Sequence, residues 1–505
     1  MKRSSGILLA VSSLPSRYGI GTLGQSSRDF IDFLKGSGQS WWQVLPIGPT
    51  SYGDSPYQSF SAFAGNPYFI DPDLLVEDGL LLPDEPLDYN WGNDPENVDY
   101  GLIYESRFSL LKKAFARGWE RDRREAEEFC RENSSWLPDY ALYMALKESF
   151  GMRSWIEWPD EKIRRRDPET LAKCREELSE EISFWIYTQF LFRRQWDSLK
   201  RYAREKGIGI IGDLPIYVAM DSADVWSGAE FFQLDADYVP KAVAGVPPDG
   251  FTAEGQLWGN PLYDWDEMEK DGFGWWIRRI SGATPFYDVL RIDHFRGLES
   301  YWSVPYGETT AKHGKWVKAP GLSLIRAITG WFPQMSFIAE DLGFLTPEVH
   351  QMLKDSGLPG MKVLEFAFDT REPGDYLPHN YPRNSVCYIG THDNDTAEGW
   401  LGSATEEELG NAVRYLGLNE SEGYRKGLLR GGMGSVSDLF VMQMQDVLGL
   451  GSESRMNTPG QPSGNWTWRL PEGFFQEKRT KDLEEELYSM TYRYGRVPEK
   501  APDKE

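Results

Sequence analysis

Four stretches of this chain end an apolar run in an acid. IGIIGDLPIY carries Asp213, VLRIDHF carries Asp293, SFIAEDLG carries Glu340, and YIGTHDNDT carries Asp393 and Asp395. A single acid after a buried strand is often a helix cap. Four such sites together concentrate like charge, which costs stability unless chemistry uses it. The chemistry that calls for carboxyl groups of unequal pKa is exchange at a glycosidic bond. One carboxylate attacks or stabilises the sugar cation, and a second carboxyl keeps a proton for the leaving oxygen.

Within this set, spacing suggests roles. Arg291 and Asp293 are two residues apart and share a strand face, so the guanidinium is expected to lower the Asp293 pKa and mark it as the nucleophile. Glu340 follows Phe337, Ile338 and Ala339. Partial desolvation there would raise its pKa and suit an acid/base. Asp341 points elsewhere and is expected to be structural. Other designs find little support among five histidines and three cysteines. His294 is expected to serve structure, and His313, His350 and His379 have no partner spacing. There is no G-x-S-x-G elbow, no H-x-x-x-H or cysteine pair for a metal, and no glycine-rich nucleotide loop. No metal and no cofactor is expected.

To bring these acids together the chain needs elements that end on one side. Strand-like runs recur at 7–11, 41–47, 208–214, 289–293, 336–340, 361–366, 386–390 and, weakly, before Asn457. Helical patterns fall at 25–36, 192–206, 321–331, 346–356 and 475–494. Alternating buried strands and helices imply parallel βα units. Eight would close an α/β fold of the (β/α)8 TIM barrel type, whose chemistry sits at the C-terminal strand ends; a doubly wound sheet is the alternative. The units are uneven. Residues 1–505 read as one catalytic barrel, with an inserted, mostly helical subdomain at about 48–207 between strands 2 and 3. A Gly/Pro/aromatic active-site loop insertion is expected at about 217–275 after strand 3. The acidic stretches 71–79 and 264–272 lack a calcium-loop pattern and read as solvated loops.

Composition narrows the partners. The chain has 505 residues and a formal charge of −24. Such a surface repels nucleic acid and anionic lipid, so no nucleic acid and no membrane is expected. No apolar run approaches a membrane span. Cys130, Cys174 and Cys387 are far apart, and the N-terminus lacks a signal-peptide pattern, so a cytoplasmic monomer is the simplest expectation. Aromatic residues make up 14%, with 20 Trp. Most should fill the core, and some could line a groove for sugar faces.

The set GDLPIYV, RIDHFRG, AEDLG and GTHDNDT, in that order, resembles the α-amylase clan, and within it the 4-α-glucanotransferases called amylomaltase or disproportionating enzyme. SPYQSFSAFAGNPYFID, PPDGFTAEGQLWGNPLYDW, PGMKVLEFAF and RMNTPGQPSGNWTWR are similar to the same family, so the resemblance covers nearly the whole chain. It implies a retaining double displacement that moves α-1,4-glucan segments between donor and acceptor sugars. Asp293 would attack, Glu340 would serve as acid then base, and Asp393 would be the third catalytic carboxylate. His392 would bond the same sugar, Asp213 and Arg291 would stand at the same subsite, and Tyr57 would be its stacking platform. Asn457 is expected among the binding residues and Asp395 as a helix cap. The segment 247–259 would roof the acceptor site with Phe251 and Trp258, while Asp249 would bind acceptor hydroxyls. Val218 stands where many clan members carry a His, which suits the transferase branch. No C-terminal β-sandwich is expected. An α-1,4-glucan hydrolase of the α-amylase type is the alternative activity, and a catalytically dead glucan-binding protein is disfavoured by the intact acids.

Overall fold

The computed structural model describes residues 2–51, 53–248, 252–343, 345–369, 374–461 and 463–498. Its strands, in chain order, are β1 (Ser4–Leu8), β2 (Trp41–Gln43), β3 (Gly209–Leu214), β4 (Ala242–Val246), β5 (Gln256–Pro261), β6 (Val289–Ile292), β7 (Ser300–Pro305), β8 (Lys315–Lys318), β9 (Ser336–Ala339), β10 (Gly360–Val363), β11 (Ser385–Tyr388) and β12 (Leu439–Gln443). Eight of them close a barrel in the order β1-β12-β11-β10-β9-β6-β3-β2, and every pairing is parallel. The chain therefore forms the expected (β/α)8 barrel. Its last described elements are a short turn at Phe474–Gln476 and a helix at Lys478–Arg493, not strands.

Barrel register explains why the acids converge. Asp213 pairs with Arg291 and Leu214 with Ile292 across β3 and β6. Ile292 in turn pairs with Ala339 across β6 and β9. Asp293 and Glu340 therefore emerge level beyond the C-terminal ends of two adjacent strands, while Asp213, level with Arg291 on the third, sits deeper in the barrel.

Two strand placements differ from the sequence expectation. The first strand begins at Ser4, three residues before the ILLAV run, because its two serines find partners inside. Ser5 donates to Gln39 at 2.7 Å and the Trp41 indole donates to Ser4 at 3.1 Å. Polar side chains with satisfied hydroxyls can occupy a buried strand. The eighth barrel strand is LFVMQ at Leu439–Gln443, well upstream of Asn457, which lies in the loop that follows.

Between β2 and β3 the chain is mainly helical, with long helices at Tyr100–Glu132, Leu137–Ser149 and Ser179–Lys206. The first starts where Asp99 accepts the Leu102 N–H. It buries Ile103, Leu110, Leu111, Ala114 and Phe115 at helical spacing. Phe115 meets Phe184 and Tyr187 of the third helix at 5.7 and 5.8 Å. Gly118 permits this approach, since a Cβ there would lie 2.0 Å from the Tyr187 hydroxyl. The third helix stops at Gly207, whose φ of 76° is the left-handed turn that feeds β3.

The stretch 217–275 is more ordered than a loop. It holds β4, β5 and the helix Trp265–Lys270. With β7 and β8, which follow β6, these strands form an antiparallel sheet in the order β5-β4-β7-β8. Segments from two neighbouring barrel strands thus build one wall beside the cleft. The stretches 71–79 and 264–272 are helical starts rather than solvated loops. Asp71 caps Pro72–Glu77 while buried, and Asp264 caps Trp265–Lys270. Among the described residues no helix is long and apolar enough to cross a membrane.

Candidate active site

At the mouth of the barrel a single guanidinium meets three acids. Arg291 Nη1 donates to both oxygens of Asp213, at 2.6 and 2.7 Å, and to Asp293 at 3.1 Å. Its Nη2 lies 3.7 Å from Glu340 Oε2. Asp213 and Arg291 are sealed at 0% and 2% side-chain exposure, whereas Asp293 keeps 22% and Glu340 13%. The fully buried pair is scaffold, and the two partly open carboxyls face the cleft where a ligand can reach them.

Electrostatics corrects one expectation. Burial drives the Asp293 carboxyl up to about 7; Arg291 pulls it down, and Asp213 and Asp393 push it up again. The guanidinium does not hold Asp293 in the low carboxylate range, because burial outweighs its pull and the Asp213 and Asp393 charges add to the rise. Glu340 is pushed well above the ordinary carboxyl range, first by burial, then by the Asp293 and Asp393 charges, against the pull of Arg291 and of the His294 N–H. The two carboxyls titrate as a pair. Asp293 takes the direct bond from Arg291 and Glu340 does not, so the shared proton resides on Glu340.

His294 has its backbone in the left-handed region, φ 46°. This turn aims its N–H at the Glu340 carboxylate. Its ring meets the Trp258 ring edge-on at 4.8 Å, and burial drives its pKa down to about 3, so it stays neutral. The residue thus bridges Glu340 and the wall of β5.

The loop after β11 brings the third carboxylate. Asn457 Nδ2 donates to Asp393 Oδ1 at 2.6 Å, and Arg455 donates to the backbone oxygens of Asp393 and Asn457 at 2.5 and 2.7 Å. Asp393 keeps 43% exposure and faces the cleft. Asp395 does not cap the following helix. Thr396 does, accepting the Gly399 N–H, while Asp395 accepts from Thr396 N and the Ser452 hydroxyl, both at 2.8 Å. Thr396 holds the extended cap conformation, which leaves the residue before it free to tie the loop to the 452–454 turn.

Tyr57 connects the two sides. Its hydroxyl lies 2.7 Å from Asp213 Oδ2 and 2.8 Å from His392 Nε2. A carboxylate paired with arginine can only accept, so Tyr57 donates to Asp213 and His392 must donate through Nε2. Burial lowers the His392 pKa, and the ring is the neutral Nε2–H tautomer. The same nitrogen is 3.4 Å from Asp393 Oδ2. Tyr57 and His392 stack at 5.4 Å with an interplanar angle of 17°.

The structure brings together Tyr57, Asp213, Arg291, Asp293, Glu340, His392, Asp393 and Asn457, and links Trp258 through His294. Asp249 and Phe251 lie outside the described residues. Val218 is buried and its carbonyl accepts from Asn260, which also bonds Gln58. Asp341 accepts the Met361 N–H at 2.6 Å and faces β10 instead of the cleft. Sequence reasoning named neither Arg455 nor Trp466 as site residues. Both lie in RMNTPGQPSGNWTWR, where the clustering of Arg, Asn and Trp was the available signal. Among the described residues no group of His, Cys, Asp and Glu is arranged to hold a metal ion.

Comparison with known proteins gives the chain's family and fold. A family model described as 4-alpha-glucanotransferase matches residues 9–475. The chain is 48% identical over 488 residues to the 4-alpha-glucanotransferase of Clostridium butyricum, covering 96% of this chain and 99% of that protein. It is 50% identical over 485 residues to that of Thermus thermophilus, covering 94% and 96%. Among solved structures, the amylomaltase of Streptococcus agalactiae in complex with acarbose superposes with a TM-score of 0.95 at 43% identity, covering 98% of this chain and all of that one.

Proposed function

The chain belongs to the 4-alpha-glucanotransferase family, and on that premise we propose how its cleft carries out the reaction. It is a 4-α-glucanotransferase of the amylomaltase type, acting on α-1,4-glucans. The observation that carries the mechanism is the placement of Asp293 and Glu340 on adjacent strand ends, against one guanidinium. Ionised Asp293 attacks the anomeric carbon of the donor. The bond to the departing 4-oxygen breaks, and Glu340 passes its proton to that oxygen. The covalent glucosyl-enzyme then meets the 4-hydroxyl of a second glucan. Glu340, now ionised, takes that proton as the new bond forms and Asp293 is released.

Asp393 binds hydroxyls of the reacting sugar, His392 donates its Nε2–H to the Tyr57 hydroxyl and so braces that subsite, and Tyr57 offers its ring as a platform. Asn457 holds Asp393 in place. Trp258 stands on the acceptor side, where Asp249 and Phe251 would complete a roof that keeps water from the intermediate. All these side chains come from one chain, so a monomer suffices. Unpaired Cys130, Cys174 and Cys387 support a cytoplasmic setting.

Incubation with maltotriose tests the reading. The expected products are glucose and a ladder of longer maltooligosaccharides. Rising reducing ends with no product longer than the substrate would instead identify a hydrolase. Glu340→Gln should abolish product formation, and unchanged turnover in that variant would overturn the roles given to the pair.

A further inference from the structure

Trp466 has no role in the account above, yet its environment is unusual. Its backbone sits at φ 68°, in the left-handed region that a bulky side chain rarely occupies. Its side chain is buried at 6% exposure. Its ring lies 5.8 Å from that of Tyr57 and 6.0 Å from that of His392, so it backs both members of the stacked pair. A conformation of this kind persists only where the surroundings over-determine it, and such places concentrate at functional sites.

The surroundings do over-determine it. The Trp466 N–H donates to the Met456 carbonyl at 2.7 Å. Its own carbonyl accepts the Tyr100 hydroxyl at 2.9 Å. The next residues are strapped to the entry of the helical insertion. Val98 N donates to Thr467 O and Arg469 N to Glu96 O, both at 2.8 Å, around an antiparallel bridge between Asn97 and Trp468. On the barrel side, Ser13 donates to Trp468 O at 2.7 Å. The segment is thus clamped between the insertion and the barrel.

We infer that Trp466 is a positioning residue, held by the strap at 96–100, which orients the Tyr57–His392 pair for the reacting sugar. It acts through those two rings. The helical insertion, through Tyr100 and its neighbours, thereby takes part in shaping a sugar subsite built on the barrel. The inference rests on Tyr57 and His392 serving that sugar.

A double-mutant cycle tests it, with disproportionation of maltotriose as the readout well below each variant's melting temperature. Trp466→Ala should lower kcat by about 10- to 100-fold, the scale expected when a catalytic group is misplaced by an ångström or less, with KM changed little. Trp466→Phe should restore most of that loss. Tyr57→Phe should also be costly, and the double variant Tyr57→Phe/Trp466→Ala should be no worse than the poorer single variant, because one change already removes what the other positions. Tyr100→Phe leaves the ring in place and removes only the hydroxyl bond. It should reduce kcat severalfold with only a small fall in melting temperature, and it carries the test if Trp466→Ala does not fold. Full multiplication of the two single effects, or wild-type kcat in Tyr100→Phe and Trp466→Phe with Trp466→Ala unfolded, overturns the positioning role. Wild-type kcat in Tyr57→Phe alone would overturn instead the assignment of Tyr57 on which the inference stands.

Discussion

Replacing Arg291 by Gln removes the cation that touches Asp213, Asp293 and Glu340 while keeping a shorter polar side chain. Unit charges about 4 Å apart interact by about 4 kcal/mol at an effective dielectric of 20. That corresponds to roughly three pKa units on Asp293. The surrounding groups and solvent adjust to the lost charge and offset part of it, so a rise of about two units is the lower bound. Asp293 starts at about 7. At pH 7 its ionised fraction should therefore fall from about one half to between one in a hundred and one in a thousand. The assay is kcat/KM for maltotriose from pH 5 to 10, which reports the free enzyme. The acid limb should move up by two to three units, roughly the loss in ionised nucleophile. Thermal melting of the same variant should show a loss of about 3–5 kcal/mol at neutral pH, since two buried carboxylates lose their partner. Arg291→Lys should lie between, because an ammonium keeps the charge but cannot grip Asp213 and reach Asp293 with one fork. An acid limb within about half a unit of wild type, in a folded Arg291→Gln, would refute the claim that this guanidinium sets the ionisation of Asp293.

The wild-type profile itself should be a bell, rising through about pH 7 as Asp293 loses its proton and falling at higher pH as Glu340 loses its own; a limb rising near pH 4 would contradict the burial argument. Asn457→Ala should lower kcat by about 10- to 100-fold by releasing Asp393, with little change in melting temperature, and unchanged kcat would count against its positioning role. Asp446→Asn should stabilise the protein in a pH-dependent way. Asp446 is fully buried, has one oxygen without a partner, and is pushed up to about 7. Its folded pKa exceeds its unfolded one, so the folded state holds a proton that the unfolded state has shed, and stability is lost as pH rises from about 4 to 7. The variant keeps an acceptor for the Ala397 N–H. It should gain up to about 4 kcal/mol above pH 7 and nothing below pH 4, as read by thermal melts; an equal gain at both ends would exclude a titration effect.

Local patterns made the barrel legible. Strand ends with acids, such as IIGD and LRID, announced both buried strands and the side on which they open. Ser4 and Ser5 hid the start of β1, because a hydroxyl looks polar until its long-range partner Gln39 is in view. The pairing of β4 and β5 with β7 and β8 joins segments that follow two different barrel strands, and no local pattern encodes that register. The Arg291–Asp293 neighbourhood was visible in RID, and Asp213 was visible as a strand-end acid, but its direct grip on the guanidinium was not legible. Asp213 is 78 residues away and takes the best hydrogen bonds of the guanidinium, and burial of Asp293, with the Asp213 charge adding to it, reverses the expected direction of the Asp293 shift. Trp466 likewise gains its significance from Tyr100, which only the folded chain places beside it.

In the mechanism proposed above, the excess of acid over base in this cleft has a use. Arg291 and Asp213 cancel one another and are sealed from solvent. Asp293, Glu340 and Asp393 remain, and the last is held by the neutral amide of Asn457 rather than by a cation. In the resting enzyme a proton on Glu340 and solvent at the open faces compensate the remainder. A bound sugar displaces that solvent. As the glycosidic bond breaks, positive charge develops at the anomeric carbon and ring oxygen, and the proton of Glu340 leaves with the departing oxygen. The cleft then holds its largest negative charge at the moment the substrate holds its largest positive one. Ground-state glucan is neutral and gains little from this field, so the stabilisation falls mainly on the transition state, which is the condition for raising kcat rather than tightening binding. The high pKa values of Asp293 and Glu340 and the proposed catalytic advantage follow from one arrangement: carboxyls raised first by burial and then by one another, with too few fixed cations, the reacting sugar supplying the one that is missing.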